Sequence, residues 1–164
     1  MTTGLERISQ LVREHPDRKL QTIMHNVNAE TLRGVHDRQD KNKAYGVDKV
    51  TKTEYEANIE ENLDDLMARM KQFSYRPQPV RRTYIPKDGT DKLRPLGVPA
   101  YEDKLVQGAM ADVLAAIYEP KFYDFSYGFR ENRDCHQALN VLKCIFRQDF
   151  TARPLFFNSQ TAKI

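Results

Sequence analysis

Residues 80–98 read VRRTYIPKDGTDKLRPLGV. Val80 to Ile85 has the β-branched and aromatic make-up of a strand, and Pro86 closes it. Lys87 to Lys92 has turn chemistry centred on Asp88-Gly89. Leu93 to Val98 returns as a second strand, which Pro95 confines to a sheet edge. The stretch therefore predicts an antiparallel β-hairpin with basic residues bracketing its turn. Strand alternation puts Arg81 and Arg82 on opposite faces.

The flanking sequence carries helical periods instead. Upstream, Leu5, Ile8, Leu11 and Val12 predict a short helix over 4–14, broken by Pro16 and Asp17. A second helical stretch is expected from Arg18, with Leu20, Ile23, Met24 and Val27 on one face. Asn28 is a candidate cap for a third, carrying Leu32 and Val35. The polar run Arg38–Tyr45 leads into Gly46-Val47-Asp48, read as a loop whose glycine permits unusual backbone shapes. Thr53-x-x-Glu56 spells a capping box. One helix should follow through Tyr55, Ile59, Leu63, Leu66 and Met70 to about Lys71. Pro77 and Pro79 then force extended chain. Downstream, a helix over Glu102–Tyr118 should turn Leu105, Ala109, Val113, Leu114 and Ile117 inward. The aromatic run Phe122–Phe129 has to pack on something. A last helix is expected over about 134–146, after which periodicity stops. These elements give an α+β fold, mostly helical with one short antiparallel hairpin.

Length and composition narrow the function classes. The 164 residues suit one domain or two small ones, with 40% hydrophobic and 30% charged residues. No apolar run approaches the roughly 20 residues of a membrane helix, so no membrane partner is expected. The N-terminal residues do not read as a secretory signal. Two cysteines, Cys135 and Cys144, have neither disulfide-framework density nor metal spacing. A reducing, cytoplasmic location is expected.

The net charge of +3 conceals an uneven distribution. Residues 54–66 hold six acids and no base, whereas residues 71–96 hold seven bases against two acids. Basic side chains interleaved with Phe73, Tyr75 and Tyr84 suit a polyanion with stackable bases. The alternative is a solvated face, its bases paired to the neighbouring acidic helix. No phosphate-cradling glycine motif is present. The histidines and cysteines lack paired ligand spacing, so no metal site is predicted from them. No serine sits in a nucleophile elbow. Asp64-Asp65 lies between Leu63 and Leu66 in a helical repeat, where adjacent residues do not converge, and reads as solvated surface. No catalytic residue is assigned.

The order of several motifs is specific. Asn42-Lys43-Ala44-Tyr45-Gly46-Val47-Asp48 is followed by Tyr75-Arg76-Pro77-Gln78-Pro79-Val80-Arg81-Arg82 and Tyr84-Ile85-Pro86-Lys87. Lys92 to Pro99 (KLRPLGVP), Glu102 to Gln107 (EDKLVQ), Ser126 to Arg130 (SYGFR) and His136 to Leu139 (HQAL) complete the series. Over about residues 40–140 the chain resembles the N-terminal part of bacterial group II intron reverse transcriptase/maturase proteins. The resemblance implies the fingers, with the start of the palm, of a right-hand polymerase fold in truncated form. It divides the chain into an N-terminal helical extension (1–40), a fingers and partial-palm region (41–146) and an atypical truncated tail (147–164). The family is an RNA-directed DNA polymerase that copies RNA into DNA and assists intron splicing and mobility. By that likeness Lys87 and Arg94 contact the triphosphate of the incoming nucleotide. Gly46 and Asp48 belong to a template-side loop, and Arg81, Arg82 and Arg130 contact template or intron RNA. Intron RNA or an RNA template is the implied partner, with a dNTP in the full-length family; the existence of a protein partner is left open.

The chain also departs from the family. Lys49 stands where the family has glycine, Glu131-Asn132 replaces Pro-Gly, and Asp134 and Cys135 replace small residues. The hairpin turn is one residue longer. The first catalytic aspartate should follow the last helix on a palm strand, but Arg147-Gln148-Asp149-Phe150 does not match that pattern, and Tyr-x-Asp-Asp is missing. The Mg2+ ions of the full-length family need carboxylates clamping them about 3.5–4 Å apart. The expectation is a chain with no cofactor of its own that does not polymerise alone. It would be an RNA-binding fragment, a fragment complemented by a separate palm, or a remnant without function.

Overall fold

The computed structural model describes residues 4–21 and 23–152, with side chains described through Phe146. The chain divides into two compact units after Pro120. The first holds helices α1 (Gly4–Glu14), α2 (Ala29–Arg38), α3 (Lys52–Glu56), α4 (Ile59–Lys71) and α5 (Tyr101–Tyr118), with strands β1 (Arg81–Pro86) and β2 (Leu93–Val98) between α4 and α5. The second holds an irregular aromatic segment and α6 (Cys135–Ala152).

α5 is the axis of the first unit. Its buried stripe, Tyr101, Leu105, Val106, Ala109 and Val113, packs with Val27, Leu32, Val35, Tyr55, Leu63 and Leu66 into one core. Leu32, Leu63, Leu66 and Leu105 are almost wholly removed from water, and each such burial is worth about 1.5–3 kcal/mol. α1 and α2 both pack on α5, and the Ser9 hydroxyl of α1 donates to the Ala116 carbonyl at 3.0 Å. Leu114 is not part of the stripe. It is 46% exposed, because it follows Val113 by one residue and so lies about a quarter-turn around the helix.

The helix expected from Arg18 is absent. That stretch is irregular apart from a short 3-10 turn at Met24–Asn26, stabilised by the Asn26 side-chain amide donating to the Ile23 carbonyl. Ile23 and Val27 still reach the core without a helix between them. α2 does begin at an Asn28 cap, with reciprocal 2.9 Å bonds between Asn28 and Thr31.

The single helix expected over 53–71 is two helices, and its capping box lies two residues earlier. Thr51 and Glu54 form the box, at 2.8 and 3.3 Å, and the Thr51 N–H holds the Glu54 carboxyl below its usual range. Lys52 fixes this frame. Its buried ammonium donates to the carbonyls of Asp37 and Gln39 at 3.0 and 2.8 Å, sealing the end of α2. The chain breaks at Asn58, and Asn62 donates its side-chain amide to the freed Tyr55 carbonyl. The break keeps Tyr55 and Leu63 in the same core although no single helix joins them.

The hairpin forms in the predicted place. Arg81 pairs with Val98 and Pro86 with Leu93 in an antiparallel register. The Lys87 N–H donates to the Lys92 carbonyl, and Gly89 takes φ +73°, the left-handed shape its turn requires. In the second unit, the aromatic run stays largely exposed instead of packing into a core. Tyr123 and Phe125 stack on each other, 5.1 Å apart and nearly parallel, yet remain 71% and 76% exposed. Phe122 and Tyr127 lie under the guanidinium groups of Arg130 and Arg133. α6 runs past Phe146 to Ala152, so Asp149 sits on helical backbone and not on a strand. The side chains from Arg147 onward and the whole of residues 153–164 lie outside the described residues.

Candidate nucleic-acid interface

The first turn of α5 organises the basic region. Four consecutive residues, Tyr101 to Lys104, each tie down a different segment. The Tyr101 N–H donates to Asp48 Oδ2 at 2.7 Å, and its hydroxyl shares a 2.9 Å hydrogen bond with His36 Nδ1 on α2. Both carboxylate oxygens of Glu102 accept from the single Nη2 of Arg69 on α4, at 2.9 Å each, a charge-assisted contact. Asp103, 3% exposed, accepts the Tyr75 hydroxyl and the Gln78 N–H, the latter at 2.9 Å. Lys104 donates to the Ala44 carbonyl. Loop, helix and strand entry are thereby held against one helix end, where its dipole favours the carboxylates of Asp48, Glu102 and Asp103.

These ties show in the titration of the buried groups. Burial, then the hydrogen bond to Asp103, pushes the Tyr75 phenol up. Burial raises Tyr101 to about 12 and raises Tyr55 further. His36, packed beside the adjoining rings of Tyr55 and Tyr101, is held below its usual value by burial and then by Lys52.

Gly46 and Asp48 have structural work in this arrangement. A Cβ on Gly46 would lie 2.4 Å from the Pro99 carbonyl and 2.6 Å from Ala100 Cα. The glycine is thus demanded by close backbone approach, and the unusual backbone shape expected of it does not occur: its φ is not positive. The left-handed residue is Lys49, at φ +58°. Asp48 presents Oδ2 to the start of α5, and its Oδ1 is buried without a partner among the described residues.

The hairpin basics divide by face. Arg81, on the half-buried face, donates through Nε and Nη2 to the Tyr45 carbonyl at 3.0 and 2.7 Å and lies over the Tyr45 ring at 4.6 Å. Arg82 lies on the opposite, exposed face, beside Tyr84. Arg94 is paired with Ile85, which puts it on the Arg81 face. Lys87 is exposed where the turn begins. Among the described residues, no ion pair reaches Arg82, Lys87 or Arg94. The acidic helix instead pairs elsewhere: Glu60 with Arg33, and Asp65 with Arg69. Asp64 and Asp65 are exposed, as the helical reading expected. Arg130 belongs to the second unit, where it donates to the carbonyls of Tyr123 and Ser126 at 2.9 and 2.8 Å.

Sequence reasoning missed the tie that Lys104 makes to the Ala44 carbonyl; its signal was the Glu102-Asp103-Lys104 run at a helix start. Among the described residues no three His, Cys, Asp or Glu side chains group as a metal shell requires. No described helix is long and apolar enough to cross a membrane.

No family model matches the chain. It is 49% identical over 84 residues to the group II intron-encoded protein LtrA of Lactococcus lactis subsp. cremoris, covering 51% of this chain and 14% of that protein. It is 44% identical over 98 residues to protein YkfC of Escherichia coli strain K12, covering 60% of this chain and 26% of that one. An uncharacterized 91 kDa protein in the cob intron of Schizosaccharomyces pombe is 40% identical over 85 residues, covering 52% and 10%. The chain thus spans about a quarter or less of the length of these relatives.

Proposed function

We propose, from the chain's homology to group II intron-encoded proteins, that it is the fingers part of a reverse transcriptase/maturase. On this reading it binds intron RNA or an RNA template in the cytoplasm through the basic β1–β2 hairpin. The observation that carries the proposal is the unpaired state of the hairpin. Its exposed bases Arg82, Lys87 and Arg94 have no carboxylate partner among the described residues, while the neighbouring acidic helix pairs with Arg33 and Arg69.

The chemistry follows from the side-chain types. Arg82 and Arg94 offer planar forks that can grip phosphate oxygens in pairs, and Lys87 offers a mobile point charge at the turn. Such contacts hold a strand without reading its sequence. Lys87 and Arg94 also suit the triphosphate of an incoming nucleotide. Arg81, Gly46 and Asp48 set the height of the loop beside the hairpin. Arg130 is a further RNA contact of the second unit. The exposed Leu139, Leu142, Ile145 and Phe146 of α6 offer an apolar face on which a palm could pack.

Filter binding to a structured RNA tests the reading. Wild type should bind, and a Lys87→Ala/Arg94→Ala double variant should bind at least tenfold more weakly. Lys19→Ala, an exposed lysine of the irregular stretch before α2, should change little. Equal affinity for all three proteins would reject the hairpin as the binding face.

A further inference from the structure

We propose that a cavity in the first unit binds a primary alkylammonium group, the charged end shared by polyamines and lysine side chains. The cavity has a volume of about 570 Å³ and opens between the loop at Asp48, α3 and the first turn of α5. That is the size of a small-molecule site, and it uses none of the hairpin bases. Its wall carries three carboxylates, Asp48, Glu54 and Glu102, against one ammonium, Lys49. Two polar atoms of wall residues have no hydrogen-bond partner among the described residues. One is Asp48 Oδ1, buried while Oδ2 accepts from the Tyr101 N–H. The other is the hydroxyl of Tyr55, a residue only 5% exposed. Buried polar groups are ordinarily hydrogen-bonded, and a buried charge needs a partner most of all.

The wall's other carboxylates cannot supply the missing donor. Glu54 and Glu102 are acceptors themselves, already held by Thr51 and Arg69. The sign of the wall therefore asks for a cation, and the two unpartnered atoms ask for N–H groups. An alkylammonium brings both, with three donors on one compact charge. A guanidinium is matched by a pair of carboxylate oxygens, and Asp48 has one to give. A bare metal ion finds no group of three His, Cys, Asp or Glu among the described residues. Tyr55 and Tyr101 both reach the wall, with their rings 4.8 Å apart, and aromatic faces attract a cation further.

The test is a heteronuclear NMR titration of the isotope-labelled chain at constant ionic strength. Putrescine serves as the free amine and N-acetyl-lysine methylamide as the side-chain mimic. At least one should give saturable shifts centred on the amides of Asp48, Tyr55, Tyr101 and Glu102, and the tighter of the two identifies the source. Tetramethylammonium, a cation without N–H groups, should give none. Asp48→Asn and Tyr55→Phe should each weaken binding at least about tenfold, the share of one hydrogen bond to a charged group. Lys49→Gly, which removes the wall's ammonium, should tighten it about twofold or more. Tyr55→Phe deletes only an unpartnered hydroxyl, so its melting midpoint should not fall and its lost binding is not unfolding. Absence of saturable shifts with both amines, equal binding of tetramethylammonium, or wild-type affinity in either Asp48→Asn or Tyr55→Phe would overturn the site. None of these outcomes bears on RNA binding by the hairpin.

Discussion

Lys49→Gly should stabilise the first unit. Lys49 holds φ +58°, where an L side chain crowds its own carbonyl at a cost of about 1–2 kcal/mol. Its side chain is exposed and forms no ion pair among the described residues, so little packing is lost. Glycine removes the crowding but adds unfolded-state entropy worth about 0.5–1 kcal/mol. The difference leaves a net gain of about 0.5–1 kcal/mol. Urea unfolding followed by circular dichroism should show a higher midpoint at unchanged slope, since the buried surface does not change. The melting temperature should rise by about 2–4 °C for a chain of this length. Val47→Gly is the control, two residues away in the same loop but outside the left-handed region; it should destabilise. If Lys49→Gly lowered the midpoint as Val47→Gly does, residue 49 would not be left-handed in the native state.

Gly46→Ala should destabilise by about 1–3 kcal/mol in the same assay, because the added methyl meets the rigid backbone of Pro99 and Ala100; an unchanged midpoint would contradict the close approach. Tyr55, Tyr75 and Tyr101 all keep their protons in the folded state to higher pH than the ordinary value of 10. Their contribution is complete below pH 10 and is lost as pH rises from there through the folded values, about 12 for Tyr101. Each tyrosine removes up to about 1.4 kcal/mol per pH unit. Ultraviolet titration should show tyrosinate absorbance appearing together with loss of helical signal, and smooth ionisation of these three with the fold intact would refute their burial.

The elements most legible in the sequence were those with a local signal. Residues 80–98 announced a hairpin through β-branched and aromatic content around Asp88-Gly89, and an antiparallel pair forms there. The α5 stripe was visible as far as Val113. What sequence periodicity could not supply were features set by tertiary partners. Thr53-x-x-Glu56 and Thr51-x-x-Glu54 are equally good capping boxes on paper; the buried bond of Lys52 to the end of α2 decides between them. Leu20, Ile23 and Val27 have helical spacing, yet the chain reaches the core through a 3-10 turn. At the interface, the hairpin bases were readable as a charge excess. Their lack of ion pairs among the described residues was not, since that depends on where Asp65 and Glu60 find partners. The aromatic run at 122–129 looked like core material because composition cannot register that arginines would cover two of its rings.

The dependence of RNA affinity on salt tests the central claim most directly. If the hairpin grips phosphates, a plot of log affinity against log salt concentration should fall steeply, and Lys87→Ala and Arg94→Ala should each flatten it by about 0.7 on a single-stranded RNA. A flat line for wild type, or a slope that neither substitution changes, would contradict it.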